Sequence, residues 1–90
     1  EYASALYDLA LLRDEESKYE EAKNYDLQAI QAMNSVIVSP KDQETFNERF
    51  AELWAHLGDV YAHSKAVISA EKAFLTTSEY LALLKNKNTF

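Results

Sequence analysis

The sequence predicts a small all-α domain, and three observations carry that prediction. The 90 residues include one glycine and one proline, so turn-rich β folds and glycine-loop nucleotide binders, which need several residues with positive φ, are nearly excluded. Hydrophobic residues make up 48% of the chain and charged residues 27%, as in folded globular proteins. Apolar residues also recur at steps of three and four, which is typical of helices that bury one face.

The first two helices are predicted to form one helical hairpin, over residues 2–37. Apolar residues keep helical spacing from Tyr2 to Leu12, and the polar segment 14–17 then interrupts them. A second stripe begins at Tyr19 and continues to Met33. It ends before the β-branched run 36–38, whose residues are poor helix formers.

The next two helices are predicted to form a second hairpin, over residues 40–86. Ser39 is placed to cap the third helix, with Pro40 at its first position and an acid three residues after the cap. A break near residues 63–66 separates it from a fourth helix. Thr76 and Glu79 have capping-box spacing, but the apolar steps cross them in phase, which favours one continuous helix. Short connections predict antiparallel neighbours.

The third and fourth helices carry the most specific pattern, which consists of Trp54, Leu57, Gly58, Tyr61, Ala70 and Phe74. All six match the tetratricopeptide repeat (TPR) pattern in type and spacing, so this region resembles a TPR. Gly58 lies in mid-helix, where glycine costs about 1 kcal/mol relative to alanine. We therefore expect a close approach of the neighbouring helix at Gly58, with Ala70 opposite it.

The first hairpin resembles a weaker copy of the same repeat. Its matching positions are Leu9, Ala10, Tyr19 and Ala22. Arg13, Ser17 and Asp26 depart from the family pattern. Leu9 and Leu57 are 48 residues apart, against 34 in an ordinary TPR, which predicts longer helices on each side of residues 39–40. Because fewer than three repeats rarely suffice for stability, we expect the domain to belong to a longer chain or to pair with another chain.

The TPR resemblance implies a scaffold that binds a peptide or partner helix in a groove lined by the first helix of each hairpin. Carried over by position, the groove residues are Ser4, Tyr7, Asp8, Leu11, Asp14, Glu15, Glu52, Ala55, His56, Asp59, Ala62 and His63. Five of these are acidic and none is basic, unlike the TPR domains that grip a chaperone's C-terminal carboxylate. A basic peptide or basic protein fits this charge.

Charge and composition restrict the other function classes. Fifteen acids and nine bases give a formal net charge of −6, which repels nucleic acid and anionic membranes. The chain has no cysteine, so a reducing compartment, cytoplasmic or nuclear, is expected. No catalytic triad or nucleophile elbow is visible. We therefore predict a protein-binding domain that is not an enzyme and needs no cofactor.

Three alternatives remain open at this stage. An elongated TPR with an acidic groove resembles the interrupted TPRs of some histone chaperones. Glu52, His56, Asp59 and His63 share one helix face at spacings of four, three and four, and these residue types could make a metal-binding bundle or enzyme subunit. The acids could also be only a solvated face of a structural solenoid segment.

Overall fold

The computed structural model describes residues 2–87, and all regular structure in that range is helical. The helices are α1 (Tyr2–Glu15), α2 (Tyr19–Asn34), α3 (Gln43–His63) and α4 (Val67–Lys87). The predicted all-α class is thus confirmed, and α4 runs through residues 76–79 without a break. Within the described range, no helix is both long enough and apolar enough to cross a membrane.

The helices pack mainly as sequence neighbours. The most extensive contacts join α3 to α4 and α1 to α2, α2 also packs on α3, and α1 touches α3 only lightly. Leu6, Ile30, Met33, Phe50 and Leu57 form the centre of the apolar core, so α1, α2 and α3 all contribute to it. Burying one such side chain is worth about 1.5–3 kcal/mol. The superhelical arrangement of TPR repeats stays a prediction.

The two connections between paired helices have the same backbone geometry. After α1, Ser17 has φ 61° and the Lys18 amide donates to the Arg13 carbonyl at 2.8 Å. After α3, Lys65 has φ 66° and the Ala66 amide donates to the Tyr61 carbonyl at 2.8 Å. Both are Schellman motifs, in which a left-handed residue lets the chain leave the helix. Ser17 and Lys65 are 48 residues apart, the same offset as Leu9 and Leu57.

Replacing Lys65 with glycine is expected to stabilise the domain. A left-handed φ strains residues with a Cβ, whereas glycine adopts it freely, and the expected gain is about 0.5–1 kcal/mol. Thermal unfolding measures it. Lys65→Ala is the matched control, because it removes the same charge but keeps the Cβ. Equal stabilisation by both variants would assign the effect to charge and contradict the backbone argument.

The start of α3 differs from the prediction. Residues Pro40–Asp42 form a 3-10 turn, and α3 begins only at Gln43. The Ser39 hydroxyl donates to the Asp42 carboxylate at 3.1 Å, and Ser39 makes no side-chain cap to a backbone amide. Ser39 therefore starts the 3-10 turn and does not cap the long helix.

The close approach expected at Gly58 involves Phe74 of α4. A Cβ on Gly58 would lie 2.5–2.9 Å from three ring atoms of Phe74. Ala70 is also buried, and its expected position opposite Gly58 stays a prediction. The missing side chain of Gly58 makes room for an aromatic ring of α4, one helical turn beyond Ala70.

Candidate functional site

Four titratable side chains form a connected polar network where α1, α2 and α3 meet. His56 on α3 places Nδ1 2.6 Å from Oδ2 of Asp26 on α2. Its other ring nitrogen, Nε2, lies 3.4 Å from Oδ2 of Asp14 on α1. His63, two turns further along α3, contacts Asp14 Oδ1 through Nδ1 at 2.9 Å. We call Asp14, Asp26, His56 and His63 the His56 network.

The centre of the His56 network is enclosed by protein. Asp26 is 0% exposed and His56 is 7% exposed. Asp26 Oδ1 and His56 Nε2 are buried and make no hydrogen bond to the residues that the structure describes. Tyr7 covers the His56 ring edge-on, with the ring centroids 5.5 Å apart. A buried carboxylate is tolerated only with a partner, so the short Asp26–His56 bond is essential to this packing.

The pKa values of His56 and Asp26 are each shifted by burial and, in the opposite direction, by the bond between them. Burial disfavours the protonated form of His56, but the hydrogen bond and charge of Asp26, with the charges of Asp14 and Asp59, raise the pKa above its ordinary 6.5. Burial raises the pKa of Asp26 above 3.8, the His56 bond and charge oppose that rise, and Asp14 adds to it. The folded state therefore holds protons more tightly at both groups than the unfolded chain does.

The domain is expected to lose stability as pH rises. Because the folded pKa of His56 is raised, its contribution is complete below the unfolded value of 6.5 and is lost as pH rises through the folded pKa. The raised pKa of Asp26 also makes the folded state less stable as pH rises. Urea unfolding between about pH 6 and pH 9 should show this decline.

The matched control for that pH series is the double variant Asp26→Asn/His56→Gln. It keeps groups that can hydrogen-bond at both positions but removes the two titrating groups, so its stability should depend less on pH. Wild-type stability that stays constant or increases over the same range would contradict the assignment.

An acidic face lies above the His56 network and is built from α1 and α3. It consists of Tyr7 with Asp8, Glu52 and Asp59, and all three carboxylates are on exposed residues. Burial raises the pKa of Tyr7, and the charges of Glu52, Asp26, Asp59 and Asp8 raise it further. These acids are therefore close enough to act on one phenol, although they come from two helices.

Arg49 limits the acidic face at one end. Ser4, Tyr7, Arg49 and Glu52 line a shallow depression between α1 and α3. The Arg49 guanidinium donates to the Ser4 hydroxyl at 3.3 Å. Arg49 was not among the predicted groove residues, because it lies one turn before the first of them on α3. The negative charge is therefore strongest from Glu52 to Asp59.

The predicted groove residues lie in different environments in the structure. Tyr7 and Glu52 line one depression, and Asp8 and Asp59 are exposed on the same two helices. Leu11 and Glu15 are exposed on α1 outside the His56 network. His56 was wrongly predicted as a partner-binding residue, because its ring is buried and bonded within the fold. The side chain of Asp14 is 13% exposed and contacts both histidines, so it too serves the fold more than a surface. His63 is exposed but contacts Asp14.

Asp26 is the site residue that sequence reasoning missed. The sequence showed it as a departure from the TPR pattern and as an alternative to Tyr25 on the stripe of the second helix, but not as a site residue. The available signal was its position on the apolar stripe of α2, among Ala22, Ala29, Ile30 and Met33, all of which are buried. A carboxylate on such a stripe needs a buried partner, but the sequence does not say which helix supplies it.

The motif residues occupy several environments. Ala10, Ala22, Leu57, Gly58 and Ala70 are buried. Phe74 is 40% exposed, less enclosed than expected of a residue that fills the core. Leu9, Tyr19, Trp54 and Tyr61 are half-buried. Among the described residues, no group of three or more histidines and acids is arranged to hold a metal ion.

Comparison with protein-family models, with curated proteins and with solved structures gave no match. The TPR resemblance therefore stays a prediction from the motif residues.

Proposed function

We propose that this domain is a protein-interaction module whose acidic face binds a lysine- or arginine-rich segment of another protein. The observation that carries the proposal is the depression between α1 and α3 that Tyr7 and Glu52 line, with Asp8 and Asp59 exposed on the same two helices. Three carboxylates from two helices next to a half-buried aromatic ring offer charge contacts and a flat apolar surface. Basic side chains use both, because they pair with carboxylates and stack on aromatic rings.

The His56 network supports this role by fixing the helices that carry the face. Asp14 on α1 and Asp26 on α2 both contact His56 of α3. These contacts hold α1 and α3 in register although the two helices touch only lightly elsewhere. A face held in place before binding loses less entropy when the partner docks.

The net charge of the whole domain also favours basic partners. A formal net charge of −6 attracts basic partners over distance and speeds their association. A chaperone of histones or other basic proteins would use the same face and chemistry, so it is a special case of this proposal. The TPR resemblance, which implies an adaptor without catalysis, agrees with it.

The test is binding of a fluorescent lysine- and arginine-rich peptide, measured by anisotropy at about 50 and 200 mM salt. The double variant Glu52→Lys/Asp59→Lys should weaken binding about tenfold or more, because it reverses two charges on the face. Its matched control is Glu20→Lys/Glu79→Lys, which changes two exposed acids on α2 and α4. Both doubles take the net charge from −6 to −2, since each substitution adds two charges.

Comparing the two double variants distinguishes binding at the acidic face from attraction by the net charge alone. The control should retain affinity within about threefold, and wild-type affinity should fall as salt rises. If the two double variants lost the same affinity, only the net charge would determine binding, and the acidic face would not be the binding site. Absence of binding by the wild-type domain at the lower salt would overturn the proposal itself.

A further inference from the structure

A cleft of about 490 Å³ opens between the start of α1, the end of α2 and the start of α3. Ligand pockets in proteins have volumes of about 300–1,000 Å³ and mostly apolar walls, with a few polar groups that orient the ligand. The apolar lining of this cleft consists of Tyr2, Ala3, Ala32, Met33, Val36 and Phe46. Its polar lining consists of Asp42, Thr45 and Arg49, and we call it the Arg49 cleft.

Packing within the fold sets the floor and walls of the Arg49 cleft. Ala3 on α1 and Ala32 on α2 have short side chains, which leave space beside them. Met33 is 4% exposed and Ala3 8% exposed, so the floor is the surface of the apolar core. The Phe46 ring packs edge-on against Phe50, with the ring centroids 5.1 Å apart. The cleft is therefore largely formed before any ligand enters it.

Two apolar side chains at the mouth of the cleft are exposed. Tyr2 is 67% exposed and Val36 is 57% exposed. Exposed apolar side chains around an apolar cleft mark a binding surface, because a ligand that covers them removes apolar area from water. The cleft therefore suits a ligand with an apolar body.

The two charged side chains of the lining lie at different positions along α3. Arg49 follows Asp42 by seven residues, which is about 10 Å at 1.5 Å per residue. The Asp42 carboxylate accepts the Ser39 hydroxyl at 3.1 Å, a bond that belongs to the 3-10 turn. Arg49 contacts the neutral Ser4 hydroxyl at 3.3 Å, which does not neutralise the guanidinium. Arg49 is therefore the charged group best suited to hold a ligand.

We propose that the Arg49 cleft binds a small apolar carboxylate, such as the anion of a medium-chain fatty acid. A guanidinium group has five N–H donors, and two parallel ones match the two oxygens of a carboxylate. Thr45, one turn before Arg49 on α3, adds a hydroxyl donor to the lining. The apolar chain of the ligand then lies along Phe46 and Met33.

The charge of the domain makes this site depend on Arg49. The formal net charge of −6 repels an anion, so local pairing with the guanidinium must offset that repulsion. The inference is independent of the proposed function. The acidic face lies further along α3, from Glu52 to Asp59, and separate variants test the two sites.

The first test is calorimetric titration of the wild-type chain with decanoate up to about 1 mM. We expect a Kd below about 300 µM, which is ordinary for a ligand of this size. Decyltrimethylammonium has the same apolar chain and the opposite charge, and it should bind at least about fivefold more weakly.

The role of Arg49 is tested by Arg49→Gln, which removes the charge but keeps groups that hydrogen-bond. Decanoate affinity should fall about tenfold, because a charge-assisted bidentate contact is lost. Lys72→Gln is the matched control. It makes the same change in net charge at an exposed position on α4, and it should bind decanoate within about twofold of wild type.

The position of the ligand is tested by filling the cleft. Ala32→Trp places a large side chain in the lining and should abolish decanoate binding. Ala82→Trp, at an exposed position on α4, is the matched control and should bind like the wild type. Circular dichroism and thermal unfolding confirm that each variant is folded.

Four results would overturn this proposal. The wild-type chain could give no binding heat up to about 1 mM decanoate, or it could bind the cationic probe as tightly as the anion. Equal losses from Arg49→Gln and Lys72→Gln would show that only the net charge matters. Full binding by a folded Ala32→Trp variant would place the ligand outside the Arg49 cleft.

Discussion

Replacing His56 with leucine is expected to lower the free energy of unfolding by about 3–5 kcal/mol, because it leaves a buried carboxylate without its partner. Asp26 is 0% exposed, and the one hydrogen bond of its carboxylate to a described residue is with His56 Nδ1 at 2.6 Å. Total stabilities of small domains are about 5–15 kcal/mol, so this one change approaches the stability of the domain. Urea unfolding at neutral pH measures the effect.

The double variant Asp26→Leu/His56→Leu is the informative control. Removing both partners leaves no unpaired charge, and well-packed apolar residues can replace a buried ion pair at little cost. The double should therefore recover most of the stability that His56→Leu loses. If the double were as unstable as the single variant, the loss would come from the shape of the histidine ring and not from the orphaned carboxylate.

Replacing Gly58 with leucine is expected to destabilise the domain by about 1–3 kcal/mol through overpacking. The first added atom alone would lie 2.5 Å from Cε1 of Phe74, so the ring must leave its position against α3. Leucine also extends further into the interface between α3 and α4, the most extensive helix contact of the fold. Thermal or urea unfolding measures the loss.

Removing the Phe74 ring should reverse the sign of a substitution at Gly58. In a Phe74→Ala background no ring lies over Gly58, and Gly58→Ala should then add about 0.5–1 kcal/mol through its better helix propensity. A destabilising Gly58→Ala in that background would show that something other than Phe74 requires the glycine. Comparing Gly58→Ala in the wild-type and the Phe74→Ala backgrounds thus tests the contact between Gly58 and Phe74.

The Asp26–His56 pair and the Gly58–Phe74 contact join α3 to different helices. Asp26 with His56 joins α2 to α3, and Gly58 with Phe74 joins α3 to α4. Asp26 and Phe74 are 48 residues apart, so they occupy equivalent places in the two halves of the chain. One half uses a charged pair where the other uses an aromatic ring on a glycine.

Some of this protein could be predicted from local sequence because its causes are local. Helical spacing, the breaks near residues 16–18 and 64–66 and the β-branched run after α2 depend on neighbouring residues, and the four helices follow from them. The cost of glycine in mid-helix likewise indicated a close contact at Gly58 before any partner was known. The turns at Ser17 and Lys65 have similar geometry, and they are separated by the same 48 residues as Leu9 and Leu57.

The sequence by itself determined the helical class, the helix bounds within a few residues, the need for space at Gly58 and the excess of acid. Only the tertiary structure decided that His56 is enclosed with Asp26, that Asp14 is shared by two histidines and that the ring of Phe74 lies over Gly58. The physical reason is that a helical stripe shows which side of a helix is buried but not which residue of another helix meets it. Asp26 and His56 are 30 positions apart, and their pairing depends on how α2 and α3 pack.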